Sequence, residues 1–387
     1  MLRLSPSPVS VYSCFFLYAF MLGSLFPRLA DLQLQMGLGE GALGLALVGL
    51  PLGVQLSLLV AGRLLSYLSL RIVMIGGLAM IGLSYVMAAY VATAQLGTAG
   101  FFSSLLVAGL SVGIIEVAVN LEADRVEYIT SRRIMNRSHA FWSLGFFSTA
   151  ICGAAASQLA IDAVVHLGAV SLIMVIASIV CFARYHQAPQ RPQDSSSPPL
   201  FVKPTSAVLL LVCLTLSAML AEGAAIDWSV IFMRDSFATP PLIGGMALAG
   251  AAFFQFATRY GADGFVTRYG PRAVSRGCLW VMLAGVICVV FSPHWAVALI
   301  GFGCLGAGSS VIFPLAMSAA AQLKDRSAAV NVASLAQISF VVFLAAPPLL
   351  GLIAEHAGIR MSFAVCFPLI VLSFLSLRAL PSQADEM

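Results

Sequence analysis

The chain has 387 residues, of which 60% are hydrophobic and only 9% charged, with a mean hydropathy of +0.98. A soluble domain is roughly 45–50% apolar and about a quarter charged, so no soluble core of this size could hide so much apolar surface, and lipid must be part of the solvent. The net charge of +4 comes from twenty basic residues scattered among short loops; without a basic stripe, nucleic acid is disfavoured as a partner.

The first ten residues carry one Arg and lead into an apolar run at 11–26. That pattern resembles a membrane anchor more than a cleaved leader, because no small-x-small site follows it. A bilayer core takes about 20 apolar residues in a helix. By that measure, spans are predicted at 10–30, 41–64, 71–93, 97–121, 134–158 and 162–184. After a polar break come 205–233, 241–266, 273–293, 295–321, 327–354 and 360–380. The runs are continuous rather than alternating, which selects helices over a barrel. The fold class is therefore an all-α membrane protein with twelve transmembrane helices in two six-helix bundles, 1–184 and 205–387. The stretch between them, 185–204, is rich in Pro and Ser and reads as a flexible linker. Pro314, Pro347 and Pro348 are expected to kink the tenth and eleventh spans. The eight Cys all lie in apolar runs with no CxxC and no Cys/His cluster, so they read as small hydrophobes, and neither a metal site nor a cofactor is expected.

Orientation follows from the basic residues. With the N-terminus in the cytoplasm, seventeen of the twenty fall on inner loops and ends, and only Arg28, Arg234 and Arg360 fall outside. This is the positive-inside asymmetry of a multi-pass protein with both termini cytoplasmic.

The halves look related. Arg63 and Arg71 flank the turn after the second span, and Arg259, Asp263, Arg268 and Arg272 surround the turn after the eighth. Asn136-Arg-Ser-His-Ala140 opens the fifth span and Asp325-Arg-Ser-Ala-Ala329 the eleventh. Two parallel six-helix repeats describe a large transporter architecture whose substrate sites lie near the membrane midplane between the halves. This plan resembles the major facilitator superfamily. Phe26-Pro-Arg28, Met36-Gly-Leu-Gly39, Glu116-Val-Ala-Val-Asn120, the segment from Met135 to Gly145, and Glu222-Gly-Ala-Ala-Ile-Asp-Trp-Ser229 resemble its L-fucose permease-like branch, and more closely bacterial inner-membrane proteins of the YbjJ type. There are departures. Ser66 stands where the superfamily usually has an acid, although Asp263 keeps it in the second half. The predicted first span also lacks the interior acid that fucose permease uses.

Ionisable groups inside a bilayer are costly and mark function by default. Glu116 is expected about seven residues past the centre of the fourth span, about 10 Å toward the cytoplasm, with Asn120 on the same face. The resemblance implies that this acid takes part in proton coupling. His139, at similar depth, is the expected partner of Glu116, with Trp142 on its face as packing. Glu222 sits near the centre of the seventh span, where the resemblance implies a cavity-lining helix. Asp227 and Trp228 lie farther out. Glu222 and Asp227 are about 140° apart around a helix, so both face one cavity only if the helix unwinds, which Gly223 would permit. Substrate binding is assigned to Asn120, Glu222, Asp227 and Trp228, and proton coupling to Glu116 and His139. Gating at the inner helix ends is assigned to Arg63, Arg259 and Asp263.

With no G-x-x-x-x-G-K-[ST] loop and no catalytic cluster, the sequence points to a secondary active transporter of a small solute, with the proton as the expected coupling ion, and not to an enzyme. The alternatives are a proton-driven efflux antiporter for amphipathic compounds, which the 25 Phe and 15 Met leave open, and a non-transporting membrane sensor. The expected partners are a small-molecule substrate, protons and the lipid bilayer of a bacterial inner membrane, with the chain a monomer.

Overall fold

A computed structural model describes residues 6–189 and 202–381. Among them there is no strand, and twelve helices are long and apolar enough to cross a membrane. They are Pro8–Met36, Glu40–Leu64, Leu70–Thr93, Thr98–Thr130, Met135–Gln158, Ala163–Phe182, Ser206–Phe237, Pro241–Tyr269, Pro271–Val290, Trp295–Gln322, Val330–Ala357 and Ile359–Ala379, here numbered as spans one to twelve. Short turns join most of them, with Gly at positive φ in several: Gly37, Gly97, Gly270 and Gly358. Only glycine takes that conformation without a steric cost. Leu83, Leu172, Ile176, Ile300, Val371 and Leu375 are exposed on the flanks, the apolar girdle expected of a bundle solvated by lipid. Inside, small residues let backbones touch. A methyl on Gly109 of the fourth span would collide with the Leu50 carbonyl of the second, and such close approach favours helix association in membranes.

Five spans are broken, and four of the breaks share a chemical cause. Ser24, Val48, Val311 and Val365 interrupt the first, second, tenth and twelfth spans. Each lies three residues before a proline: Pro27, Pro51, Pro314 and Pro368. Proline has no N–H for the carbonyl four residues back and clashes with it. In the eleventh span the break is at Phe340 instead, and Pro347 and Pro348 stay inside the helix Val341–Ala357.

An even number of spans brings residue 8, the inter-half stretch and residue 379 to one end, here the terminal end; the opposite one is the far end. Contacts at the terminal end agree: the Tyr185 hydroxyl lies 3.4 Å from that of Ser10, and Arg272 donates to the Leu380 carbonyl at 2.8 Å. Most of the expected linker lies outside the described residues, but its two flanks are docked against the bundle. Glu122 accepts from the Tyr185 hydroxyl at 2.6 Å and from the Ala188 N–H at 2.8 Å, and Gln187 accepts from the Leu70 N–H. Burial, then the Glu122 carboxylate, hold the Tyr185 hydroxyl well above the usual tyrosine range. Val202 is buried and donates its N–H to Gln337.

Candidate functional site

The structure lengthens the fourth span at its terminal end to Thr130. Glu116 therefore lies about two residues from the midpoint of the helix Thr98–Thr130, while it remains about seven past the centre of the apolar run. The apolar run ends near 121, but the helix continues through charged residues because Glu122 is buried and partnered. Asn120 donates to the Glu116 carboxylate at 2.9 Å and to its carbonyl at 2.8 Å. The Tyr18 hydroxyl of the first span lies near the Glu116 carboxyl. Tyr18 is buried, and no composition or spacing signal singles it out. His139 is not the partner of Glu116: its ring meets Phe15 edge-on at 5.1 Å. Equal depth does not put two side chains on facing sides of their helices.

In the other half, Glu222 pairs with Arg259 of the eighth span at 3.5 Å. Hydropathy places Arg259 at a helix end. The eighth helix instead continues ten residues past it, to Tyr269, which puts Arg259 well inside the bundle. Its Nε donates to the Ser310 carbonyl at 3.0 Å, and its Nη1 donates to Ser143 of the fifth span at 3.1 Å. The Ser310 carbonyl is the one that Pro314 cannot bond, so the break in the tenth span supplies an acceptor for the guanidinium. A small cavity of about 20 Å³, room for about one water, adjoins this pair. It is lined by Trp142, Phe146, Glu222, Gln255 and Ser309 among others. The rings of Trp142 and Phe146 lie 4.5 Å apart, so Trp142, read from sequence as packing, borders the cavity. Gln255 accepts from Ser143 at 3.0 Å.

The seventh helix is unbroken from Ser206 to Phe237, so Gly223 does not unwind it. Glu222 and Asp227 accordingly face different ways. Asp227 is half-buried, lies within electrostatic reach of Tyr85 of the third span, and has no hydrogen-bond partner among the described residues. Trp228 is fully buried against Gly351 of the eleventh span, so it packs the C-terminal half and does not face a cavity. Asp263 accepts from Asn136 of the fifth span across the two halves. Arg63 is exposed and forms no ion pair among the described residues.

A further charged network escapes the hydropathy reading, which stops the first span at residue 30. The span continues to Met36, and Arg28 is buried within it. Arg28 bonds Asp31 at 2.7 Å and the Ile161 carbonyl at 2.8 Å, and Asp31 accepts from Ser157 at 3.0 Å. The first span therefore does hold an acid. No group of His, Cys, Asp and Glu among the described residues could hold a metal ion.

Comparison with known proteins agrees with this architecture. The profile of the Major Facilitator Superfamily matches residues 209–386. An uncharacterized MFS-type transporter of Yersinia pestis is 27% identical over 365 residues, covering 94% of this chain and 93% of its own length. An uncharacterized transporter of Sinorhizobium fredii is 28% identical, covering 91% and 92%. Among solved structures, a D-xylose–proton symporter aligns with a TM-score of 0.73 at 12% identity, over 97% of each chain. The E. coli fucose–proton symporter aligns at 0.59 and 18%, over 96% and 97%. The structural likenesses establish the fold, and the findings together support an MFS transporter.

Proposed function

We propose that the chain is a proton-coupled secondary transporter of a small polar solute, working by alternating access in a bacterial inner membrane with its terminal end in the cytoplasm. The observation that carries this reading is the contrast between two acids near the middles of their helices. Glu116 is held by a neutral donor, Asn120, so it can take up a proton without stranding a cation. Glu222 is tied to Arg259 beside an aromatic-walled cavity and suits substrate binding. Two solved neighbours named as sugar–proton symporters support the coupling ion. The E-x-A-x-N pattern at Glu116 supports the L-fucose permease-like branch, and within it the YbjJ type. The basic-residue asymmetry supports the orientation.

The test is uptake by proteoliposomes under an imposed pH gradient, screened over small polar solutes. Accumulation that collapses with a protonophore is the expected result; accumulation indifferent to the gradient defeats the coupling. Efflux is a second reading, favoured by the apolar walls Ile226, Leu248 and Leu305. Net export of amphipathic dyes from the same vesicles would establish it.

A further inference from the structure

At the far end, the two halves are joined by side chains that grip backbone. Glu355, in the last turn of the eleventh span, accepts the N–H of Gly41 at 2.9 Å. Gly41 is the second residue of the helix Glu40–Leu47 that opens the second span. Its N–H is one of the first-turn donors with no partner inside the helix, and a carboxylate there also meets the positive end of the helix dipole. On the other side of the seam, Arg234 of the seventh span donates to the Ala30 carbonyl at 2.9 Å and to the Gln33 side chain at 2.8 Å. Gln33 in turn donates to the Leu38 carbonyl at 3.1 Å, in the turn just before Gly41. The two grips therefore hold successive parts of one segment, residues 30–41.

The seam around them is close-packed. A methyl on Gly41 would collide with a Glu355 oxygen, and one on Gly44 would collide with the Pro347 carbonyl. Both bonds are nevertheless built to part. Glu355 is exposed, so water can replace Gly41 as its partner. Arg234 also bonds Asp235 at 2.6 Å, on its own helix, so it keeps a counter-ion when the halves separate.

We infer that Glu355 and Arg234 form a two-point latch that holds the far end shut and must release once in each transport cycle. This rests on the alternating-access reading given above. Hydrogen–deuterium exchange on the full chain in lipid nanodiscs tests it, comparing wild type with Arg234→Met, Glu355→Met and the double variant. Met keeps the approximate length of each side chain and can make neither bond; elution profile and thermal midpoint report whether each variant is folded.

Each single variant should speed exchange over residues 29–47 roughly threefold, and the double variant roughly tenfold. Residues 238–245, which neither side chain touches, should speed up with them, and the terminal end of the eighth span, already bonded to the fifth through Asp263 and Asn136, should slow as the halves press closer there. A change confined to the segment around Gly41 would overturn the latch, since it would report only the lost partner of one amide. Gly44→Leu provides the control, because its Cβ must push the halves apart at Pro347. If that variant gives the two-ended signature and the latch variants do not, the latch is wrong and alternating access stands. If a folded Gly44→Leu protein shows no such signature, alternating access fails and the latch falls with it.

Discussion

Glu116 and Glu222 sit near the middles of their helices in opposite halves, yet their surroundings differ in kind. Glu116 has a neutral donor, Asn120, at 2.9 Å; Glu222 has a guanidinium at 3.5 Å. An acid among neutral donors can change its charge and leave its neighbours satisfied. An acid paired with Arg cannot, because neutralising it strands a cation in a poorly solvated place. The difference separates the roles: one carboxyl suits proton traffic and the other holds a fixed charge pattern beside the cavity.

The hardest blow to this contrast is removal of the cation. Arg259→Met should abolish uptake and destabilise the protein by about 3 kcal/mol, since it leaves Glu222 unpaired. The double variant Arg259→Met/Glu222→Gln should recover most of the stability and none of the uptake. Thermal unfolding beside uptake decides it; equal stability of the single and double variants would show that the two charges do not act as a pair.

Glu116→Gln should cost about 1 kcal/mol or less in stability, because the amide oxygen can still accept from Asn120. It should retain counterflow exchange but lose accumulation against a gradient. Normal proton-driven accumulation by this variant would move the coupling site elsewhere.

Trp142→Ala should raise the half-saturation concentration for uptake roughly three- to tenfold by removing an aromatic wall, while leaving the accumulation ratio at saturation intact. A fall in that ratio instead would tie Trp142 to coupling and blur the division between the halves.

The least change is expected at Asp325, an exposed acid that extends the comparison to a carboxyl in water. Like Glu116 it is held by a neutral donor: Asn331 donates to it at 2.8 Å, and that bond, more than any other contact, holds the Asp325 carboxyl below the usual range. A depressed folded value means that the stabilisation is present above the unfolded value of about 3.9 and is lost as the pH falls through the lower folded value. Asp325→Ala should therefore lower the thermal midpoint slightly at pH 7, and the difference from wild type should vanish in strong acid. A difference that persisted there would assign the effect to something other than charge.

Much of the fold was legible in the sequence. Twelve apolar runs of bilayer length, and a polar break after the sixth, follow from composition alone, because lipid demands long helices with every backbone group satisfied within them. Mid-depth Glu222 was legible for the same reason: a lone acid in an apolar run stands out. Helix ends were not. The first and fourth spans continue past their apolar runs to Met36 and Thr130, because Arg28 and Glu122 find partners on other segments. Those partners are distant in sequence, so hydropathy at a single position cannot reveal them.

Local chemistry was enough to set the solvent and the number of crossings; of the four prolines that follow breaks, only Pro314 was expected to bend its span. Which side of each helix meets which neighbour came only from packing. It set His139 against Phe15 instead of Glu116, turned Trp228 into the core against Gly351, and carried Arg259 inward to Glu222. The physical reason is that depth along a helix is set locally, by about 1.5 Å per residue, whereas azimuth acquires meaning only when a second helix is packed against the first.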